Sequence, residues 1–155
     1  MLEHDGKRIN QLISIMTYLG KLHGYYPEDP YEAWRVDSFI EGIQDLMNPL
    51  IIIKRETDKE QQMKLFMSYF GTTLPTILRA LDKRVGGNSN PNYAVGDKLT
   101  TADFVFCSII FSIFYNEKFE FAVHFKASFE NFANLKTYAG YHSENTFKEY
   151  LATRP

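Results

Sequence analysis

One cysteine in 155 residues, Cys107, leaves no partner for an internal disulfide and too few thiolates for a cysteine-based zinc site. No uninterrupted apolar run reaches the roughly 18 residues that a membrane-spanning helix needs. The opening MLEHDGKRIN lacks the basic-then-apolar order of a secretory leader. Charge of one sign is scarce too. Lys and Arg number 17 against 19 Asp and Glu, and they are scattered rather than clustered. That balance leaves no electrostatic footprint for nucleic acid or an anionic membrane surface. Glycine-rich phosphate loops, nucleophile elbows and paired-carboxylate patterns are missing as well. Together these absences lead to the expectation of a cytoplasmic, soluble protein, with neither nucleic acid nor membrane insertion among its partners.

What the sequence has is apolar and aromatic mass, 45% and 15% of residues, in a length that suits one domain. The apolar residues recur at three- and four-residue steps, so the fold class is all-α. Ile9, Leu12, Ile13, Met16, Leu19 and Leu22 make one stripe, with Gly20 and Gly24 as terminators. After YYPEDP a second stripe runs through Ala33, Val36, Phe39, Ile40, Ile43, Leu46 and Met47. Asp29 is placed to cap it, and Pro30 holds the first helical position. Pro49 predicts a kink there, or a break into two helices. A third helix begins near Thr57 and Glu60, which have capping-box spacing, and bends at Pro75. GGNSNPNYAVGDK is a loop. Shorter helical pieces are predicted around 119–126, 129–140 and 144–152.

Between the loop and those pieces lies GDKLTTADFVFCSIIFSIFYN, a polar turn feeding a helix over 101–115 that is apolar nearly all round. Such a helix must be buried. Its start carries a matching device. Thr100 and Asp103 can exchange hydrogen bonds across the first turn, and Leu99 can staple onto Phe104.

These residues resemble a known family. GDKLTTADF is similar to the capping-box and staple motif opening the core helix of the glutathione S-transferase C-terminal domain, nearest the sigma-like branch. The segments ISIMTYLGKLHGYYPEDPYEAWRVDSFIEGIQDL, TTLPTILRALDK and ANLKTYAGYHSENTFKEYLATRP match other parts of that domain in the family's order. The resemblance implies a helical bundle over 25–155. Residues 1–24 would be a remnant of the thioredoxin-like half, its last strand, turn and helix. In this family that half binds glutathione and supplies the residue that stabilises or engages the thiolate. The chain resembles almost none of it, and Met1 to Arg8 would need another surface to stay ordered. The family's Gln-Ser or Glu-Ser pair, which holds the γ-glutamyl carboxylate, falls on Gln11 and Leu12, and leucine has no hydroxyl.

The resemblance therefore implies a degenerate, non-catalytic interaction or structural module. It would carry no cofactor, and its vacated face would be covered by a protein partner, a second copy, or a larger assembly such as a cytoskeletal or axonemal one. The alternative is a glutathione transferase or small-ligand carrier completed by another chain. Vestigial ligand contacts would then fall on Gln11, Asp37, Tyr31 and Trp34. Cys107, inside the apolar run, reads as an inert core residue. His4, His23, His124 and His142 share no ligand spacing, so no metal site is expected.

Overall fold

Strand pairing lies in the first nine residues. The computed structural model describes residues 1–119 and 121–154. In it Leu2–His4 (β1) and Lys7–Ile9 (β2) pair antiparallel, with Leu2 opposite Ile9 and His4 opposite Lys7. Asp5 and Gly6 both have positive φ, 50° and 70°, the handedness a two-residue hairpin turn needs. The sequence reading expected one strand and a turn here. The Asp-Gly pair makes a second strand, because a turn of that type sends the chain straight back.

Helix α1 spans Leu12–His23 and ends at Gly24, which takes the left-handed conformation with φ 77°. Gly20 was expected to terminate this helix. Instead it is buried inside it, where an added Cβ would run into the methyl group of Thr101. Gly20 is a packing glycine: it lets α1 approach the start of the core helix. Gly20→Ala should destabilise the fold by about 1–3 kcal/mol through overpacking, measured by thermal or urea unfolding.

Helix α2 spans Pro30–Arg55, with the Asp29 carboxylate accepting from the amides of Tyr31 and Glu32 at 3.0 and 2.9 Å. It runs through Pro49 as one helix, neither split nor ended there. Buried residues flank the proline, Leu46 before it and Ile53 after it, and tertiary burial carries the helix across the missing hydrogen bond. Helix α3, Lys59–Ser68, is capped by Asp58 rather than Thr57. The Asp58 carboxylate accepts from Glu60 and Gln61, while the Thr57 and Asp58 amides are taken by Glu56. A π-helical turn over Tyr69–Thr73 leads into α4, Leu74–Gly86. Pro75 is the second residue of α4 and follows the π turn directly, the place where the regular i to i−4 hydrogen-bond ladder is already interrupted.

The core helix is α5, Thr101–Ile109, prolonged by a π turn to Phe114. Helices α6 (Ala122–Phe129), α7 (Ala133–Tyr141) and α8 (Lys148–Thr153) follow, with another π turn over His142–Thr146. Residue 120, in the piece expected from 119, lies outside the described residues. Ala102, Val105, Phe106, Ile110 and Phe114 of the core segment are buried. The Phe106 ring meets Phe39 of α2 at 5.5 Å, and Phe114 stacks on Phe125 at 5.1 Å. Among the described residues the bundle is all-α apart from the hairpin.

Candidate functional site

The linker between α1 and α2, residues 24–29, packs against the start of the core helix. The Thr101 amide donates to the Tyr25 carbonyl at 2.9 Å, and the Tyr25 ring meets Phe104 edge-on at 5.1 Å. One residue on, the Tyr26 hydroxyl donates to Asp37 at 2.7 Å, with the Lys21 ammonium 5.1 Å from the Tyr26 ring centre. Burial, then the hydrogen bond to Asp37, then the charge of Asp37 push the Tyr26 hydroxyl up to about 12. At neutral pH it is a fixed donor, not a base. Asp37 lines a groove of about 530 Å³ between α1 and α2, with Ser14, Tyr18, Lys21, Glu41 and Gln44 also in its walls.

The other three ligand candidates lie elsewhere. Gln11 precedes α1 with φ 68°, exposed, and its side chain makes no capping hydrogen bond. Leu12 beside it is 69% exposed. Tyr31 and Trp34 stack on each other at 5.4 Å in the first turns of α2, exposed, and neither lines the groove. Ser14 and Lys21 escaped the sequence reading. Their signal was a polar stripe in an apolar helix, Ser14, Thr17 and Lys21 at three- and four-residue steps.

The capping motif of α5 is the hub of a buried polar network. The Asp103 carboxylate is fully enclosed. It accepts from the Thr100 amide at 2.8 Å, the Thr100 hydroxyl at 3.1 Å, the Ala94 amide at 2.7 Å and the Tyr138 hydroxyl at 2.9 Å. Leu99 is half-buried, and the Phe104 ring rests against Phe147 at 5.8 Å as well as against Tyr25. The Cys107 thiol leans on the Tyr138 hydroxyl at 3.6 Å, and burial pushes the thiol well up, so it stays protonated. His142 is fully buried with Nε2 3.7 Å from Asp103. Burial brings that ring down to about 4, against a smaller opposing effect from the Asn92 backbone. It is neutral at physiological pH, so the approach to Asp103 is not an ion pair there. At neutral pH the Cys107 thiol and the His142 ring are therefore both uncharged.

Core helix α5 is not closed on every side. Ser108 and Ser112 are exposed, and between them and α8 lies a pocket of about 370 Å³ walled by Phe104, Phe111, Phe147 and Tyr150. Arg154 closes its far side, donating to the Phe111 carbonyl at 2.8 Å.

A family model for the glutathione S-transferase C-terminal domain matches residues 44–154, most of the chain. This chain belongs to the glutathione S-transferase family. Glutathione S-transferase S1 of Drosophila melanogaster is 31% identical over 109 residues, which cover 70% of this chain and 43% of that protein. A glutathione S-transferase of Anopheles gambiae is 27% identical over 156 residues, covering the whole chain and 72% of the relative. Among solved structures, the prostaglandin synthase D of Nilaparvata lugens superposes with a TM-score of 0.82 at 22% identity, covering 99% of this chain and 72% of that one. The glutathione S-transferase of Ascaris lumbricoides gives 0.75 at 26% identity over the same shares. The chain spans about half the length of several curated transferases that it matches.

Proposed function

We propose that this transferase-family domain is a non-catalytic interaction module, a subunit of a larger assembly such as a cytoskeletal one, that docks a protein partner on the α5–α8 face. The observation behind this reading is the opening in the core helix. A helix that is apolar nearly all round presents Ser108 and Ser112 to solvent beside an aromatic-walled pocket, and small residues let another helix approach closely. Tyr150, exposed at the rim of that pocket, offers an aromatic anchor to such a partner. The chemistry of the site agrees with it: leucine stands where the family resemblance calls for a serine hydroxyl, and the enclosed Cys107 thiol is held protonated.

A second reading rests on the Asp37 groove, where Ser14 and Lys21 offer a hydroxyl and a cation to a carboxylate-bearing ligand. A transferase completed by another chain would use it. The deciding assay is conjugation of glutathione to a generic aryl halide by the purified chain and by its native complex. The module reading predicts no rate above the uncatalysed background. A rate that falls at least tenfold in Asp37→Ala would establish the second reading instead.

A further inference from the structure

A third cavity, about 600 Å³, opens at the far end of α2, where the α2–α3 turn meets the segment before α6. Nothing in the proposed docking face reaches it. That face starts at the first turn of α5, beside the linker, whereas the cavity is walled by Leu50, Ile53 and Lys54 in the last turns of α2, ~30 Å of helix from its start at Pro30. Leu50, Met63, Phe66, Phe119 and Phe121 supply an apolar interior, with the Phe66 and Phe121 rings 4.9 Å apart. Three exposed lysines, Lys54, Lys59 and Lys118, also line it.

The cations carry the argument. Among the described residues no carboxylate lies within ion-pair distance of any of the three, although Lys64, on the same helix as Lys59, is paired with Glu60. Lys59 is held by a neutral partner: its ammonium donates to the Gln62 side-chain oxygen at 3.1 Å. The Gln62 amide nitrogen in turn donates to the carbonyls of Ile53 and Glu56 at 3.0 and 3.2 Å. Gln62 thus braces the turn between α2 and α3 and fixes one cation at the cavity. Lysine stems lying on apolar surface with their heads in water would explain one such residue. Three around one cavity, in the size range of small-ligand sites, match a ligand that is apolar at one end and anionic at the other.

We infer that this cavity binds an amphipathic carboxylate, with its chain on Phe66, Phe119 and Phe121 and its headgroup among Lys54, Lys59 and Lys118. The probe is dodecanoate, with dodecanol as its neutral twin, both below their aggregation limits. Calorimetry at pH 7.5 should show dodecanoate binding at least tenfold tighter than dodecanol. The double variant Lys54→Gln/Lys118→Gln should lose that tenfold advantage and leave dodecanol unchanged. Nuclear Overhauser contacts on the unmodified protein should run from the dodecanoate chain to the Met63 methyl group, which locates the site without any variant. Equal affinities for acid and alcohol would overturn the assignment. So would an advantage that survives in the double variant, or contacts to Phe104 and Tyr150 in place of Met63.

Discussion

Asp103→Ala should lower the melting temperature by about 10 °C. The carboxylate accepts four hydrogen bonds in a fully enclosed position, and three of the donors are the amides of Ala94 and Thr100 and the Tyr138 hydroxyl. Alanine leaves those donors facing a void from which water is excluded. Each buried, unsatisfied donor costs about 1–3 kcal/mol, partly relieved by relaxation. One of those donors, the Thr100 amide, is the arm of the capping box that Asp103 supplies, so the start of α5 loosens with it. A total of about 3–5 kcal/mol is a large share of the stability of a domain this size, and each kcal/mol is worth ~2–4 °C here. Thr100→Ala removes only the hydroxyl that donates at 3.1 Å. It should cost much less, about 1 kcal/mol. Equal melting temperatures for Asp103→Ala and Thr100→Ala would show that the network is not what stabilises the start of α5.

Acidification should weaken the fold through His142, by roughly 2–4 kcal/mol once pH has fallen from 7 to about 4. The ring is enclosed, and burial holds its folded pKa near 4, below the ordinary histidine value near 6.5. The unfolded chain therefore takes up the proton first. The stability conferred by neutral His142 is whole above pH 6.5 and is lost as pH falls toward 4. Asp103 works in the opposite direction. Its carboxyl is raised by burial, so the folded state gains stability as pH drops through that raised value. The two effects overlap, and the histidine is isolated by comparison with His142→Gln. Urea titrations at pH 7 and pH 5 should show a loss in the parent chain that is markedly reduced in the variant. Parallel losses in both would contradict a neutral buried His142.

The helical class and the start of the core helix were legible in the sequence, because both depend on local spacing: the three- and four-residue apolar stripes, and Thr100 with Asp103 three positions later. The rest of the Asp103 site was not. Tyr138 and His142 reach it from 35 and 39 positions away, and no local pattern marks that pairing. His142 was weighed only as a metal ligand and proved to be a core residue. Glycine and proline misled in the same way. Gly20 carries the signature of a helix end, yet its missing side chain serves a contact with Thr101, 81 residues on. Pro49 carries the signature of a break, yet burial on both sides of it keeps α2 whole. The ligand candidates separated for a geometric reason. Asp37 faces α1, whereas Tyr31 and Trp34, only three to six positions before it, share a different stretch of the α2 surface.

The central claim is that the α5–α8 face is occupied by a partner, and the native size of the protein in a gentle extract tests it directly. The chain should elute in gel filtration well above its own 18.1 kDa. Ser112→Arg, which places a charge on that face at an exposed position, should shift it down to the size of one chain without changing its melting temperature. Elution of the unaltered protein as a single 18.1 kDa chain would contradict the account. So would an assembly that Ser112→Arg leaves intact.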